Sequence, residues 1–199
     1  MEYKSLALLE QLSTQTREHT AFVESLKTLS LDDLNKRPHK GSWNILECIA
    51  HLNLYGNFYL PEISRRMVAS QSKAASYFSS GLLGNYFAKS ILPKDRPNKM
   101  KTFQEMDPIY KQLDKNVLVV FLEQQENFLQ LLEQAKSKDL NRIRTNISIN
   151  KWIKIRLGDA FRFLVNHNSR HIVQIKTILS SYPAIDQTSQ VLPQSITNK

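Results

Sequence analysis

Between Leu6 and Leu29 apolar residues recur every three or four positions (Leu8, Leu9, Leu12, Phe22, Val23, Leu26), with Glu10, Arg17, Glu18, His19 and Lys27 between them. That period buries one face of an α-helix and predicts a first long helix. The segment from Ser30 to Gly41 is dense in turn formers, and Ser42 is placed to cap the next helix. A second helix is expected from about Trp43 to Met67. Its stripe is Ile45, Cys48, Ile49, Leu52, Tyr55, Phe58, Tyr59 and Ile63, with His51 at the edge beside Tyr55 and Phe58. Pro61 is expected to bend it near its end.

From Ser70 to Lys115 the pattern fades into Ser, Gly and Lys with Pro93, Pro97 and Pro108, which reads as a long irregular insertion; Tyr77 to Ile91 alone has the period of a short helix. Val117, Leu118, Phe121, Phe128, Leu131 and Leu132 mark a third helix over about Asp114–Lys136. The β-branched run Ile143–Ile155 is expected to extend or pair briefly, and Ala160, Phe161, Leu164, His171, Ile175, Ile178 and Leu179 mark a fourth helix over about Leu157–Ser181. Beyond Tyr182 the chain is polar and aperiodic. One domain over 1–182 with a flexible tail over 183–199 follows, and no internal repeat is present.

Composition supports the helical reading, since five glycines in 199 residues leave little for sheet turns or Gly-rich phosphate loops. Glu10 interrupts the opening apolar stretch, so no signal-peptide core can be drawn, and no window reaches the roughly 18 apolar residues of a membrane span. Cys48 is the only cysteine, which excludes an internal disulfide and any multi-cysteine metal site. A cytoplasmic protein without a membrane partner is expected. Lys and Arg outnumber Asp and Glu by 27 to 18, concentrated at Lys89–Lys101 and Arg142–Arg156. These stretches carry no nucleic-acid module, so the charge reads as a solvated basic face and nucleic acid is not the expected partner.

The chemistry-bearing pattern is His167-Asn168-Ser169-Arg170-His171, two imidazoles four residues apart and therefore on one helical face. Such a pair can converge on one metal ion, although structural pairs share the spacing. His51, on the margin of the second helix's stripe, is available as a third ligand, because bundle cores build metal sites from facing helices.

Trp43-Asn44-Ile45-Leu46-Glu47-Cys48-Ile49-Ala50-His51 and His167-Asn168-Ser169-Arg170-His171-Ile172-Val173-Gln174 resemble the Trp-x-x-x-Glu-x-x-x-His and His-x-x-x-His-x-x-Gln segments of the DinB-like (DinB/YfiT) superfamily of metal-binding four-helix bundles. The order and length of the helices and Arg37-Pro38 before Trp43 agree, so the resemblance spans roughly 1–182. It implies an all-α antiparallel four-helix bundle with a long second crossover. It also implies a metal triad of His51, His167 and His171, and homodimers. Neutral imidazole suits Zn or Ni first and Fe, Mn or Cu after them, and three ligands leave a position open for water or substrate. The activity implied is that of a metal-dependent enzyme acting on small thiols or thiol adducts, as in bacillithiol transferases and a mycothiol-dependent isomerase. A metal-dependent hydrolase and a non-catalytic, dimerising stress-response module are the alternatives.

Among the neighbours, Glu47 stands one turn before His51 and either orients its ring or serves as a first-turn acid. Gln174 reads as structural, Cys48 as a small buried hydrophobe, Trp43 and Trp152 as packing residues at helix ends, and His19 and His39 as structural or exposed.

Overall fold

The computed structural model describes residues 1–93 and 102–182, so the tail expected at 183–199 and part of the basic stretch Lys89–Lys101 lie outside the described residues. A short strand β1 (Glu2–Lys4) runs into α1 (Ser5–Leu26), followed by α2 (Leu31–Asn35), α3 (Ile45–Val68), strand β2 (Tyr77–Ser79) and α4 (Leu82–Ser90). A single 3-10 turn at Gln104–Met106 precedes α5 (Asn116–Ala135), the strands β3 (Arg144–Ile147) and β4 (Asn150–Arg156), and α6 (Leu157–Ser180). No helix among the described residues is long and apolar enough to cross a membrane.

The four long amphipathic helices form a four-helix bundle. α1 packs against α5 and α6, as does α3, so α1 lies diagonally opposite α3 and α5 diagonally opposite α6. The apolar faces meet in two core clusters. One runs from Leu8, Leu9 and Leu12 through Tyr59, Ile63, Phe128 and Phe161. The other gathers Val23, Leu26, Ile45, Cys48, Ile49, Phe121 and Ile175, which places the Cys48 thiol fully inside as an apolar filler. Burial pushes that thiol above its usual range, consistent with an inert side chain.

The start of α3 differs from the sequence expectation. Its cap is Asn44, whose side chain accepts from the Glu47 N–H at 2.8 Å while Glu47 accepts from the Asn44 N–H at 2.9 Å. Ser42 is occupied in the preceding turn, where its hydroxyl donates to the His39 carbonyl at 2.7 Å. Pro61 lies inside α3, which continues past it to Val68.

The described parts of the insertion carry more secondary structure than their composition suggests. Residues 77–79 are a strand, not the first turn of a helix, because they pair antiparallel with the N-terminal strand (Tyr3 opposite Phe78). Phe78 is fully buried, and its ring packs where a Cβ on Gly158 would stand 2.7 Å away, which pins the insertion to the head of α6. Gly158→Ala is therefore expected to displace that ring and cost about 1–3 kcal/mol in chemical denaturation. An unchanged midpoint would show that Phe78 yields freely. Asp159, also fully buried, accepts from the Ser80 hydroxyl and from the Gly81 N–H at 2.9 Å, and pairs with Arg162 at 3.1 Å. β3 and β4 form the hairpin foreshadowed by the β-branched run. Trp152 projects from it and is 92% exposed, not packed as expected.

Candidate metal centre

His51 lies midway along α3, and His167 and His171 lie one turn apart on α6, the helix that packs against it. The three imidazoles come together between the helices and are 3%, 2% and 6% exposed. Nε2 of His167 stands 3.1 Å from Nε2 of His51 and 3.1 Å from Nε2 of His171. One ligand atom from each residue lies within 4.8 Å of the others, and no carboxylate or thiol among the described residues joins the group.

Two outer contacts aim the rings. His51 Nδ1 donates to the Met106 carbonyl at 2.6 Å, and His171 Nδ1 donates to Gln174 Oε1 at 2.9 Å. With their protons on Nδ1, both rings turn an Nε2 lone pair toward the centre, as imidazole ligands do. The cluster cannot satisfy itself. Two inward lone pairs face a third nitrogen that can supply at most one proton while the ring is neutral, and His167 Nδ1 has no partner among the described residues. One cation accepts all three lone pairs. A tetrahedral site with metal–nitrogen bonds of ~2.0–2.1 Å has edges of ~3.3–3.4 Å, close to the spacing present.

Burial sets the protonation state. It pushes His51 down to about 4, against the opposing effects of the Met106 carbonyl and nearby Asp107. Burial first, and then neighbouring imidazoles and Arg170, hold His167 and His171 well below the usual histidine range. All three rings are neutral near pH 7, the state a metal requires.

The wall of the site is aromatic. Trp43 packs on His51 and His171 with ring centroids 4.7 and 5.7 Å away, Tyr55 meets His167 at 4.3 Å, and Phe163 stacks on His167 at 5.5 Å. Trp43 also donates its indole N–H to Asp107 at 3.1 Å, so it belongs to the site as well as to the helix end. Burial pushes the Tyr55 phenol up to about 12, so it stays protonated.

Among the other candidates, Gln174 is the acceptor that orients His171. The Glu47 carboxylate is bonded elsewhere than to the His51 ring: it caps α3 and pairs with Arg37 at 2.7 Å. His19 is buried and bonded to the Ser169 hydroxyl at 3.0 Å, and His39 is exposed on the surface. Met106 was not foreseeable, because a backbone carbonyl leaves no mark on residue type. Tyr55 shares a face with His51 by its four-residue spacing, which was the available signal, whereas Trp43 lies just before the α3 cap.

Fold and site together define a class, that of helical bundles which collect ligand-type side chains in the core from facing helices. The sequence model of the DinB superfamily matches residues 14–175, and the chain belongs to that superfamily. Among solved structures it is similar to YfiT from Bacillus subtilis, described as a probable metal-dependent hydrolase with an unusual four-helix bundle topology. The two share 14% identity over 86% of each chain, with a TM-score of 0.53. That likeness concerns the fold. No curated protein gives a significant match.

Proposed function

We propose that His51, His167 and His171 hold one divalent metal ion and that the chain is a metal-dependent hydrolase. The observation that carries the reading is the convergence of three Nε2 lone pairs whose partner nitrogens are tied outward at His51 and His171. When bound on three neutral ligands, such an ion lowers the pKa of a water in its open position toward ~7 and polarises a carbonyl. The chain's own residues set the conditions for this. Met106 and Gln174 hold two rings in the ligating tautomer, and Trp43, Tyr55 and Phe163 keep bulk water from the cluster, which strengthens charge interactions inside it. Zinc fits the all-nitrogen donor set, with nickel next. The description of YfiT as a probable metal-dependent hydrolase supports hydrolysis over other uses of the open position.

The test is turnover of a panel of ester and amide substrates by zinc-loaded protein, repeated after chelation and after zinc is restored. Hydrolysis should follow the metal and fall to background in His51→Ala. Conjugation of bacillithiol, glutathione or coenzyme A to an alkylating probe, without ester or amide cleavage, would instead assign the site to thiol transfer, since a thiolate can fill the same position. Metal that raises only the melting temperature, with neither reaction, would make the chain a binding module.

A further inference from the structure

We propose that Glu47 is a positioning residue for His51 that acts through the backbone of the segment Met106–Tyr110. The inference rests on reading His51 as a metal ligand. Glu47 and His51 are one turn apart on the same face of α3, and the segment runs alongside that turn, tied at both ends. At one end the Met106 carbonyl accepts from His51 Nδ1 at 2.6 Å; at the other the Tyr110 N–H donates to Glu47 Oε1 at 2.6 Å.

Capping α3 uses only one oxygen of the Glu47 carboxylate, Oε2, on the Asn44 N–H. The carboxylate is nonetheless completely buried and accepts three further bonds, two from the Arg37 guanidinium at 2.7 Å each and one from Tyr110. Those bonds hold a conformation that a free segment would not keep. Tyr110 has φ of 61°, the one non-glycine residue with positive φ among those described, and its ring lies 4.6 Å from the Arg37 guanidinium. Between the two ends Asp107 accepts from the Ile109 N–H at 3.0 Å and from the Trp43 indole. His171 Nδ1 is held instead by Gln174 of its own helix. One of the three candidate ligands therefore depends on the insertion, and the insertion depends on Glu47.

Imidazole nitrogen NMR and zinc competition with a chromophoric chelator test the inference together. In the metal-free wild type, His51 should be the Nδ1–H tautomer. In Glu47→Gln, which keeps the side chain's shape, it should exchange with the Nε2–H form while His171 is unchanged, and zinc affinity should fall about 10–100-fold. Tyr110→Pro deletes the N–H and forbids positive φ without touching the cap, and should reproduce both effects. Asn44→Ala removes the side-chain half of the cap and the Asn44 bonds to Asn35 while leaving every bond of the Glu47 carboxylate, and should lower the melting temperature with neither effect. A His51 tautomer unchanged in both Glu47→Gln and Tyr110→Pro, with only the melting temperature reduced, overturns the inference and reduces Glu47 to a helix cap. If wild type binds no zinc yet the tautomer shifts as expected, the positioning stands and the metal reading fails. If every variant binds zinc as wild type does and His51 keeps its tautomer, the metal reading stands and the positioning fails.

Discussion

His171→Ala is expected to lose metal binding by more than the ~10–100-fold that removal of an outer contact costs, while keeping the helical circular-dichroism spectrum of the wild type. The ring contributes an inward Nε2 that stands 3.1 Å from Nε2 of His167. Two imidazoles then remain, too few for a closed or a catalytic site. The fold survives because it rests on apolar faces elsewhere, Leu8 to Phe161 in one cluster and Val23 to Ile178 in the other. Gln174→Ala, which removes only the acceptor on His171 Nδ1, should produce the smaller loss. Elemental analysis of untagged protein distinguishes the two variants, and wild-type stoichiometry in His171→Ala would remove that residue from the ligand set.

The second large effect is acid sensitivity of the metal-free protein. His51, His167, His171 and His19 are all held below their ordinary pKa, chiefly by burial, with His19 and His51 at about 4. In the unfolded chain each takes up a proton near ~6.5, so below that pH the unfolded state binds more protons than the native state. Stability is complete above ~6.5 and falls as the pH drops toward 4, by up to roughly 1.4 kcal/mol per pH unit for each such ring. Four rings titrating together can consume much of an ordinary domain's stability of ~5–15 kcal/mol within that window. Urea midpoints measured from pH 7.5 to 4.5 should fall steeply below 6.5. Saturating zinc should raise the upper plateau and steepen the fall, because acid then also releases the ion. A flat profile would mean that the buried rings open to solvent before they titrate.

The four long helices were legible in the sequence to within a few residues, because each carries its own apolar stripe and needs no knowledge of its neighbours. What could not be read depends on partners far away in the chain. Tyr77–Ser79 has the period of a helix start, and becomes a strand only because Glu2–Lys4 lies beside it. Trp152 looked like a packing residue, and nothing local marks its face of the hairpin as the solvent side. In the site, spacing revealed the His167–His171 pair, and the family resemblance joined His51 to it; Gln174 read as structural, whereas it accepts from His171 Nδ1. Neither spacing nor resemblance could reveal that Glu47 reaches past its own helix to Tyr110, or that Met106 serves His51, since both contacts are made by main-chain atoms.

His51 and His167 lie 116 positions apart, and their meeting has a consequence for the order of events during synthesis. At ~5–20 residues per second, the ribosome needs roughly 6–25 s between adding the first of these histidines and adding the second. Through that interval the emerging α3 carries a lone imidazole, and no pair on the nascent chain can capture an ion with the affinity of the finished cluster. Any ion the three rings hold is therefore captured only after α6 has docked against α3.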